Sequence, residues 1–481
     1  MDGFLEMQNL LSEYQQSHLL KYSGELTESE RKELLEQLQS IDIKEVLKLY
    51  EKAQTSAGEN KICDSKMRPV KVEIEKDLNE SLLNEYFSVG LDAIAQSQVA
   101  VIVLSGGQAT RLGLPYPKGM CPVGLPSGKT LFQIQAERIR KLIKLAKQKT
   151  GQEGRVIWCL MTSEATDLLT DKFLKQNKYF GLPKENVKLF KQHQLPCFDF
   201  DGKIILEEKD SVALAPDGNG GLYKALKTSG LLKQLKESGI KYVHVHGVDN
   251  ILVRVADPIF IGKCIKDGID CGAKVVLKTD PKEPLGVICQ IEDKYQVIEY
   301  SEIPPETAES KDEDGQLKFS AGNICSHFFT LDFLERVSND HEDSLGLHIA
   351  KKIVTHVGPD GDKFRPTSPN GIKIEKFVFD AFVYSRRFLA WRVERGTEFS
   401  PVKNSDVSKT DCFPTARRAL MALHKKWIES NGGEVKGGAV EISPLLSYGG
   451  EGLEEVKGKT YGDRDVLLAD EERADDSPTE T

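Results

Sequence analysis

The stretch LSGGQATRLGLPYPKGM, residues 104 to 120, combines residue types that can bind a phosphate group. Gly106 and Gly107 directly follow the aliphatic run VAVIVL, so the chain can turn sharply and present backbone N–H groups without a Cβ in the way. Such N–H groups form a cradle for anionic oxygens. Arg111 and Lys118 add mobile positive charge beside the turn. The stretch therefore predicts a binding site for a phosphorylated ligand.

Spacing excludes two better-known glycine motifs. The Walker loop requires G-x-x-x-x-G-K-[ST], but Gly113 is followed by leucine. The dinucleotide fingerprint requires G-x-G-x-x-G, but Gly107 is followed by the letters QATR. A strand with a Gly-Gly turn is by itself more often structural than functional. The added T-R and P-K pairs favour a ligand site here.

Two further loops follow strand-like runs. Asp249 and Asn250 directly follow the run YVHVHGV, so they lie at the end of a predicted strand, where a carboxylate could bind a metal ion. Mg²⁺ prefers few carboxylates plus phosphate oxygens, so one aspartate suffices. The sequence DGNGG, residues 217 to 221, is either a tight turn or a ligand loop, and its extra glycine favours the latter. His244 and His246 alternate with valines and are interpreted as packed structure rather than metal ligands.

A sheet must position these loops. Short apolar runs followed by helical patterns predict strands at 99–104, 155–161, 242–248 and 273–278, with a helix over 130–149. This alternation predicts an α/β fold, a Rossmann-like mixed but mostly parallel sheet flanked by helices. Ligands of such sheets bind beyond the carboxyl ends of the strands.

Three domains are predicted along the chain. Residues 1–95 are rich in Glu, Lys, Leu and Gln, with capping-box spacing at 27–30, and form a helical N-terminal domain. Residues 96–392 form the catalytic α/β domain. Residues 393–481 form a small C-terminal domain with a helix over 415–429, short strands, and a disordered acidic tail, DEERADDSPTET.

Composition excludes several classes of partner. The chain has 65 Lys and Arg against 74 Asp and Glu, a net charge of -9, which gives no reason to expect nucleic acid. The start MDGFLEMQNL lacks the basic stretch of a secretory signal, and no run approaches the roughly 20 apolar residues of a membrane span. The nine scattered cysteines contain no CxxC pair. A cytoplasmic protein with reduced thiols, without nucleic-acid or membrane partners, is expected.

Residues 104–120 resemble the L-x-G-G-x-G-T-R…P-K signature of the sugar-1-phosphate nucleotidyltransferases. The continuation GLPSGKTLFQIQAERI is similar to the eukaryotic UDP-N-acetylhexosamine pyrophosphorylases. Further segments resemble that family in matching order, from about residue 100 to 455: APDGNGGLYKAL, HVHGVDNILVRVADP, GVICQIEDKYQVIEYSEI, GNICSHFFT, PNGIKIEKFVFDAF, EFSPVKNSD and EISPLLSYGGEGLE. The resemblance implies the nucleotidyltransferase fold.

The resemblance also implies a reaction of the hexosamine pathway. UTP and N-acetylglucosamine 1-phosphate would give UDP-N-acetylglucosamine and pyrophosphate, with N-acetylgalactosamine 1-phosphate left open as a second substrate. Because the sugar phosphate attacks the α-phosphorus in line, the enzyme needs positioning and charge neutralisation rather than a nucleophile. The implied cofactor is Mg²⁺, with Mn²⁺ as an alternative, and the implied assembly is a monomer or homodimer.

The residues that match the family's motifs receive their roles from the resemblance. The catalytic positions are Arg111, Lys118 and Lys403. The nucleotide would be bound by Leu104, Gly106, Gly107, Lys118, Gln192, Gly218 and Asp249. Pro196 would also lie near the uracil, Asn250 near the ribose, and Asp249 would hold the metal. The sugar would be bound by Asn219, Glu299, Asn323 and Lys373.

Two departures from the family pattern bear on activity. Ala109 stands where the family usually has glycine, and Ser105 replaces a common alanine. A methyl group at 109 is tolerable where φ is negative and costly where φ is positive or where it touches the nucleotide.

Two alternative functions were weighed. The first is a UTP–glucose-1-phosphate uridylyltransferase, against which Asn219, Asn323 and the segment KIEKFVFDAF favour an N-acetylated sugar. The second is a non-catalytic nucleotide-sugar-binding regulatory subunit. It is disfavoured because the phosphate-binding cations and Asp249 are all present.

Overall fold

A computed structural model describes residues 2–59, 66–107, 109–437, 439–462 and 465–467, together with 469 and 472. Its helices are α1 Asp2–Glu13, α2 Glu28–Ser40, α3 Ile43–Glu59, α4 Glu80–Ala95, α5 Leu131–Thr150, α6 Glu164–Gln176, α7 Leu222–Thr228, α8 Leu231–Glu237, α9 Pro258–Asp267, α10 Pro305–Glu309, α11 Leu331–Arg336, α12 Arg395–Glu398 and α13 Phe413–Ser430.

The strands vary from two to ten residues in length. They are β1 Met67–Pro69, β2 Val72–Ile74, β3 Val99–Leu104, β4 Val156–Thr162, β5 Val187–Lys191, β6 Gln194–Pro196, β7 Leu206–Glu208, β8 Ser211–Val212, β9 Leu214–Pro216, β10 Tyr242–Gly247, β11 Cys271–Leu277, β12 Val287–Ile291, β13 Lys294–Ile298, β14 Ala321–Thr330, β15 His348–Lys352, β16 His356–Val357, β17 Lys363–Phe364, β18 Gly371–Glu375, β19 Phe388–Arg392, β20 Glu434–Val435, β21 Val440–Ile442, β22 Thr460–Tyr461 and β23 Asp465–Leu467.

The central sheet confirms the predicted α/β class. Its main path runs β2-β19-β11-β14-β10-β3-β4-β5. Off this path, β12 pairs with β14 and also with β1 and β13. Neighbours on the main path are parallel except for β14, which is antiparallel to both β11 and β10. The sheet is therefore mixed and mostly parallel.

Buried strands and a capped helix explain why these elements could be predicted from the sequence. Every residue of β3 and of β4 is buried, as expected of parallel strands covered on both faces. Helix α5 begins after Thr130, whose side chain accepts from the N–H of Gln133, and ends at Gly151, which has φ +75. The four predicted strands and the predicted helix occur within two residues of their expected bounds.

Contacts divide the chain into two compact units that interleave along the sequence. Unit 1 comprises Met1–Cys63, Gln192–Ala225 and His341–Asp380, and unit 2 comprises Asp64–Lys191, Leu226–Asp340 and Ala381–Thr481. Unit 2 contains the central sheet, and unit 1 contains α1, α2, α3 and the small sheets of β6 to β9 and β15 to β18. The predicted division into three continuous domains stays a prediction.

Both terminal segments contain helices and short strands. The capping box of Thr27 and Glu30 is formed, but the N-terminal segment also contains β1 and β2, which the sequence reading did not predict. Near the C-terminus, α13 precedes two short parallel strand pairs, β20 with β22 and β21 with β23. The predicted disordered tail lies outside the described residues apart from 472.

Candidate active site

The glycine loop follows β3, which lies between β10 and β4 in the sheet. Ser105 anchors its start, because both its N–H and its Oγ donate to the carbonyl of Met161, at 3.0 and 2.9 Å. Gly106 is buried and Gly107 is exposed, and a Cβ added at Gly107 would meet no atom within 4 Å. The loop therefore has a fixed base and an open edge at the carboxyl end of the strand.

Leu104 and Ala109 flank this turn. Leu104 is the last residue of β3 and is 9% exposed, while Ala109 is 2% exposed. The Ala109 carbonyl accepts from the N–H of Leu112 at 2.9 Å and begins the turn that carries Arg111. The methyl group of Ala109 thus lies within the protein rather than on the open edge of the loop.

Lys118 and Asp249 meet in unit 2. The Lys118 Nζ lies 3.5 Å from Asp249 Oδ2 and donates to the carbonyl of Val402 at 3.0 Å. The Val402 N–H in turn donates to the Asp249 carbonyl at 2.9 Å. Val402 therefore connects both predicted site residues through its backbone, and Lys403 is the next residue along the chain.

Asn250 holds the loop that carries Lys403. Its Nδ2 donates to the carbonyl of Glu398 at 2.7 Å, and its Oδ1 accepts from the N–H groups of Ser400 and Leu252 at 2.9 and 3.2 Å. The side chain is only 4% exposed. The idea that Asn250 meets the ribose with its side chain finds no support in this geometry, because its polar atoms are bonded to the protein.

A buried ion cluster lies beneath that loop. Lys274 Nζ lies 2.6 Å from Asp257 Oδ2 and 2.5 Å from Glu398 Oε2, and both lysine and aspartate side chains are fully buried. Burial raises the pKa of Glu398 to about 7, and the neighbouring Asp257 carboxylate acts in the same direction. Lys274 and Arg254 are balanced by Asp257 and Glu75, so Glu398 is the acid that holds a proton at lower pH.

The predicted sugar-binding residues of unit 2 meet around Gly286. A Cβ at Gly286 would come 2.7 Å from Glu299 Oε1, and its carbonyl accepts from the N–H of Asn323 at 2.9 Å. Asn323 Oδ1 accepts from the Cys325 N–H at 3.2 Å and from His327 Nε2 at 3.0 Å. Because both bonds use the oxygen, the amide nitrogen of Asn323 is the group left to donate.

The pKa of the Cys325 thiol depends on burial and on the charges of several predicted site residues. Burial raises the pKa of its thiol to about 12. The carboxylates of Asp249 and Glu299 contribute to that rise, while Lys403 opposes it. Asp249, Glu299 and Lys403 are therefore close enough to act on one thiol. Arg111 is exposed, and no hydrogen bond or ion pair to any described residue ties it to this group.

In unit 1 the DGNGG loop packs backbone against backbone. Gly218 has φ +89, and a Cβ there would come 2.4 Å from the Lys376 carbonyl oxygen. Gly220 donates its N–H to that carbonyl at 2.8 Å. Asn219 Oδ1 accepts from the N–H of Val378 at 2.9 Å. Close packing alone thus requires these glycines, so they cannot serve as evidence for a ligand loop.

Asp217, at the start of the same loop, is an unusual acid. It is 4% exposed, and its Oδ1 has no hydrogen-bond partner among the described residues. Burial raises its pKa to about 7, although nearby Lys376 lowers it. No signal in the sequence distinguished Asp217 from an ordinary turn residue.

The other predicted positions of unit 1 lie on its small sheets. Gln192 is 7% exposed, and Pro196 is the last residue of β6. Lys373 pairs with Ala350 across β18 and β15. Burial raises the pKa of the nearby Cys197 thiol to about 11, and the charge of Lys373 opposes that rise. The roles that the resemblance implies for these three positions stay predictions.

His244 and His246 of β10 are buried, as expected from their interpretation as packed structure. His244 Nε2 bonds Ser326 Oγ at 3.0 Å and its Nδ1 accepts from the Ala256 N–H at 3.0 Å, while burial lowers the pKa of both His244 and His246. Within the described parts of the chain, no three or more His, Cys, Asp or Glu side chains are grouped to hold a metal. Asp249, with 24% of its side chain exposed, fits an ion that takes its remaining ligands from phosphate and water.

Comparisons with known proteins agree with this architecture. The model of the family described as UTP--glucose-1-phosphate uridylyltransferase matches residues 43–438. The chain is 48% identical over 467 residues to the UDP-N-acetylhexosamine pyrophosphorylase-like protein 1 of Xenopus tropicalis, covering 91% of each chain. It is 40% identical over 476 residues to the UDP-N-acetylglucosamine pyrophosphorylase of Saccharomyces cerevisiae, covering 96% of this chain and 99% of the yeast protein.

A solved structure extends the match to three dimensions. The uridine diphosphate N-acetylglucosamine pyrophosphorylase of Trypanosoma brucei, crystallised with an inhibitor, superposes with a TM-score of 0.84 at 28% identity, covering 98% of this chain and 99% of that one. The mixed sheet with a glycine loop after a central strand is thus the fold of a nucleotidyltransferase. The chain belongs to the UDP-N-acetylhexosamine pyrophosphorylase family, which confirms the resemblance drawn from the motifs.

Proposed function

We propose that the protein transfers the uridylyl group of UTP to N-acetylglucosamine 1-phosphate and releases pyrophosphate. The observation that carries this proposal is the joint fixation of Lys118, Asp249 and the Val402–Lys403 backbone in unit 2. Two lysines and one carboxylate held beside an open glycine loop suit a reaction among phosphates. The relatives named above support the same substrates.

The reaction needs charge neutralisation at fixed positions. An oxygen of the sugar phosphate attacks the α-phosphorus, a new P–O bond forms, and the bond from that phosphorus to the bridging oxygen of pyrophosphate breaks. Lys118 and Arg111 would neutralise the triphosphate and the leaving pyrophosphate, and Lys403 the incoming sugar phosphate. Because Val402 accepts from Lys118 Nζ, that ammonium is already held in place before substrate binds.

A divalent cation fits as the cofactor, and Mg²⁺ is proposed, with Mn²⁺ as an alternative. Asp249 would hold it together with phosphate oxygens. Such an ion supplies further neutralisation of negative charge at the reacting phosphates. The 3.5 Å separation of Lys118 Nζ and Asp249 Oδ2 leaves the second carboxylate oxygen for the ion.

The remaining residue roles are proposed from the motifs. Leu104, Gly106 and Gly107 would contact the nucleotide from unit 2, and Glu299 and Asn323 the sugar. For unit 1, the proposed nucleotide contacts are Gln192 and Gly218, and the proposed sugar contacts are Asn219 and Lys373. A cytoplasmic location and a monomeric or homodimeric state also remain predictions. None of the helices in the described ranges is long and apolar enough to cross a membrane.

The test measures pyrophosphate release from UTP and Mg²⁺ with three acceptors in parallel: N-acetylglucosamine, N-acetylgalactosamine and glucose 1-phosphates. We expect the N-acetylated sugars to be preferred and Lys118→Met to abolish most turnover. Lys144→Met, at an exposed lysine of α5, is the matched control and should keep the wild-type rate. Preference for glucose 1-phosphate would replace this proposal by the glucose enzyme. No release with any acceptor, from protein that binds UDP-N-acetylglucosamine, would indicate a binding subunit.

A further inference from the structure

A cavity of about 440 Å³ lies within unit 2, apart from the residues assigned to the reaction. Its wall includes Lys76, Leu83, Arg254, Arg392, Trp427 and Tyr448, and none of the proposed catalytic or substrate-binding residues. Small-molecule sites in proteins commonly have volumes of about 300 to 1,000 Å³. The cavity is thus large enough for a ligand of its own.

Three cationic groups on the wall have unused donors. The Arg392 guanidinium and the Lys76 ammonium make no hydrogen bond or ion pair with any described residue. Arg254 approaches Glu75 and Asp257 through its terminal nitrogens, at 3.8 and 3.5 Å, but its buried Nε has no partner within the described part of the chain. Unpaired donors of this kind favour an anion.

The acids on the same wall are already engaged. Glu75 accepts from Trp391 Nε1 at 2.9 Å, Glu398 pairs with the buried Lys274, and Glu394 lies 3.6 Å from Lys426 Nζ. The unpaired charge that faces the cavity is consequently positive. A cationic ligand would find no free carboxylate there, whereas a carboxylate or phosphate would find donors.

The rest of the wall suits a ring. Trp427 and Tyr448 supply aromatic surface, and Leu83 is one of several leucines beside them. The Arg254 guanidinium lies 5.6 Å from the centroid of the Tyr448 ring. Aromatic and aliphatic walls with a few placed charges are typical of sites for small organic ligands.

We propose that this cavity is a second small-molecule site of the protein, which binds an organic anion made of a ring system and one carboxylate or phosphate group. Arg392 and Lys76 pair with the anionic group, and Trp427 and Tyr448 pack against the ring. The wall contains none of the residues proposed to touch the substrates, although Leu252 and Glu398, which are bonded to Asn250, are part of it.

Isothermal titration calorimetry of the full chain with 1-naphthyl phosphate, 1-naphthoate and the neutral 1-naphthalenemethanol tests the proposal. We expect one anion to bind per chain at least about tenfold more tightly than the alcohol, because a hydrogen bond to a charged group is worth that much. The phosphate and carboxylate probes distinguish which anionic group the site takes.

Variants locate the binding. Arg392→Gln should weaken the anion about tenfold, and Leu83→Trp should block it by filling the cavity. Arg418→Gln, at an exposed arginine of α13, should bind as wild type, and so should the Lys118→Ala/Lys403→Ala double variant. Circular dichroism shows whether each variant is folded. No saturable binding of either anion, equal binding of the alcohol, or binding unchanged in both folded Arg392→Gln and Leu83→Trp would overturn the proposal.

Discussion

The variant Asn250→Ala tests whether Asn250 positions the loop from Glu398 to Lys403 for the proposed reaction. The side chain makes three hydrogen bonds, to the backbones of Leu252, Glu398 and Ser400, and touches no group assigned to the reaction. Two of these partners, Leu252 and Glu398, are 2% and 3% exposed, so water cannot easily replace the lost bonds. Each buried group left without a partner costs about 1 to 3 kcal/mol, which gives a loss of about 2 to 6 kcal/mol in the free energy of unfolding.

That loss is smaller than the stability of many proteins, so Asn250→Ala should fold at low temperature. Its turnover should nevertheless fall at least about tenfold, because the loop from Glu398 to Lys403 loses its bonds to the Asn250 side chain and is held less firmly by the remaining Val402–Asp249 backbone bond. Displacements near 1 Å can cost about 100-fold in rate. Urea unfolding followed by circular dichroism measures the first effect. Pyrophosphate release per folded molecule measures the second.

Asn431→Ala is the matched control. The Asn431 side chain donates to the carbonyls of Trp427 and Gly450, at 2.8 and 3.3 Å, in the C-terminal part of unit 2. This variant should lose stability and keep its turnover per folded molecule. If Asn250→Ala loses stability but retains the wild-type rate, the loop is not positioned through Asn250 and the reasoning is wrong.

Four further outcomes are expected. Lys403→Ala should lower the rate of pyrophosphate release strongly while circular dichroism stays native. Lys274→Met should lower the free energy of unfolding by about 3 to 5 kcal/mol, because it leaves Asp257 and Glu398 buried without their cation, and adding Glu398→Gln should recover part of that loss. The raised pKa of Glu398, about 7 in the fold, means that its contribution to stability is present below about pH 4.3 and is lost as the pH rises through 7. Between pH 6 and 8 the wild type should therefore lose about 1 kcal/mol more than Glu398→Gln in urea titrations. Gly220→Ala should lower the melting temperature, since its Cβ would come 2.6 Å from backbone atoms of residues 376 and 377.

For each of these predictions, a specific result would contradict it. A near-normal rate in folded Lys403→Ala would remove that lysine from the mechanism. A loss below about 1 kcal/mol in Lys274→Met would mean that water or a shifted side chain compensates the buried acids. If the free energy of unfolding changes with pH in the same way for wild type and Glu398→Gln, the Glu398 carboxyl has an ordinary pKa. Gly396→Ala, where a Cβ would meet nothing within 4 Å, is the control for Gly220→Ala and should melt as wild type.

Local signals explain what the sequence could predict. All six residues of β3 are apolar and buried, and α5 has a threonine cap at one end and a glycine cap at the other. Both elements can therefore be predicted from a short segment of the sequence. The motifs after β3 and β10 led to Lys118 and Asp249, which the structure brings together. The direction of a strand in the sheet cannot be predicted from its own residues. The sequence of β14 does not indicate that this strand lies antiparallel between β11 and β10.

Long-range contacts explain what the sequence could not predict. Asn250 bonds residues 148 and 150 positions away, and Lys274 pairs with an acid 124 positions away. The sequence around Asn250 or Lys274 does not indicate which distant residues they contact. The glycines of 217–221 are ambiguous in the sequence, because a ligand loop and a close backbone contact require the same residue type. Only the position of Lys376 shows that packing accounts for Gly218 and Gly220.

For the proposed reaction, the contacts of Val402 favour a catalytic site that is preorganised. A lysine that must neutralise phosphate gains most when its position is fixed before the substrate arrives, since it then needs no reorganisation during the reaction. Lys118 meets this condition, because its Nζ is held between the Val402 carbonyl and the Asp249 carboxylate. The same Val402 is bonded to the Asp249 carbonyl, and Asn250 joins Glu398 to the strand end that carries Asp249. The buried Lys274–Glu398 pair therefore affects the rate only through the geometry of this loop. Its loss should change turnover and stability together, whereas loss of Lys403 should change turnover alone.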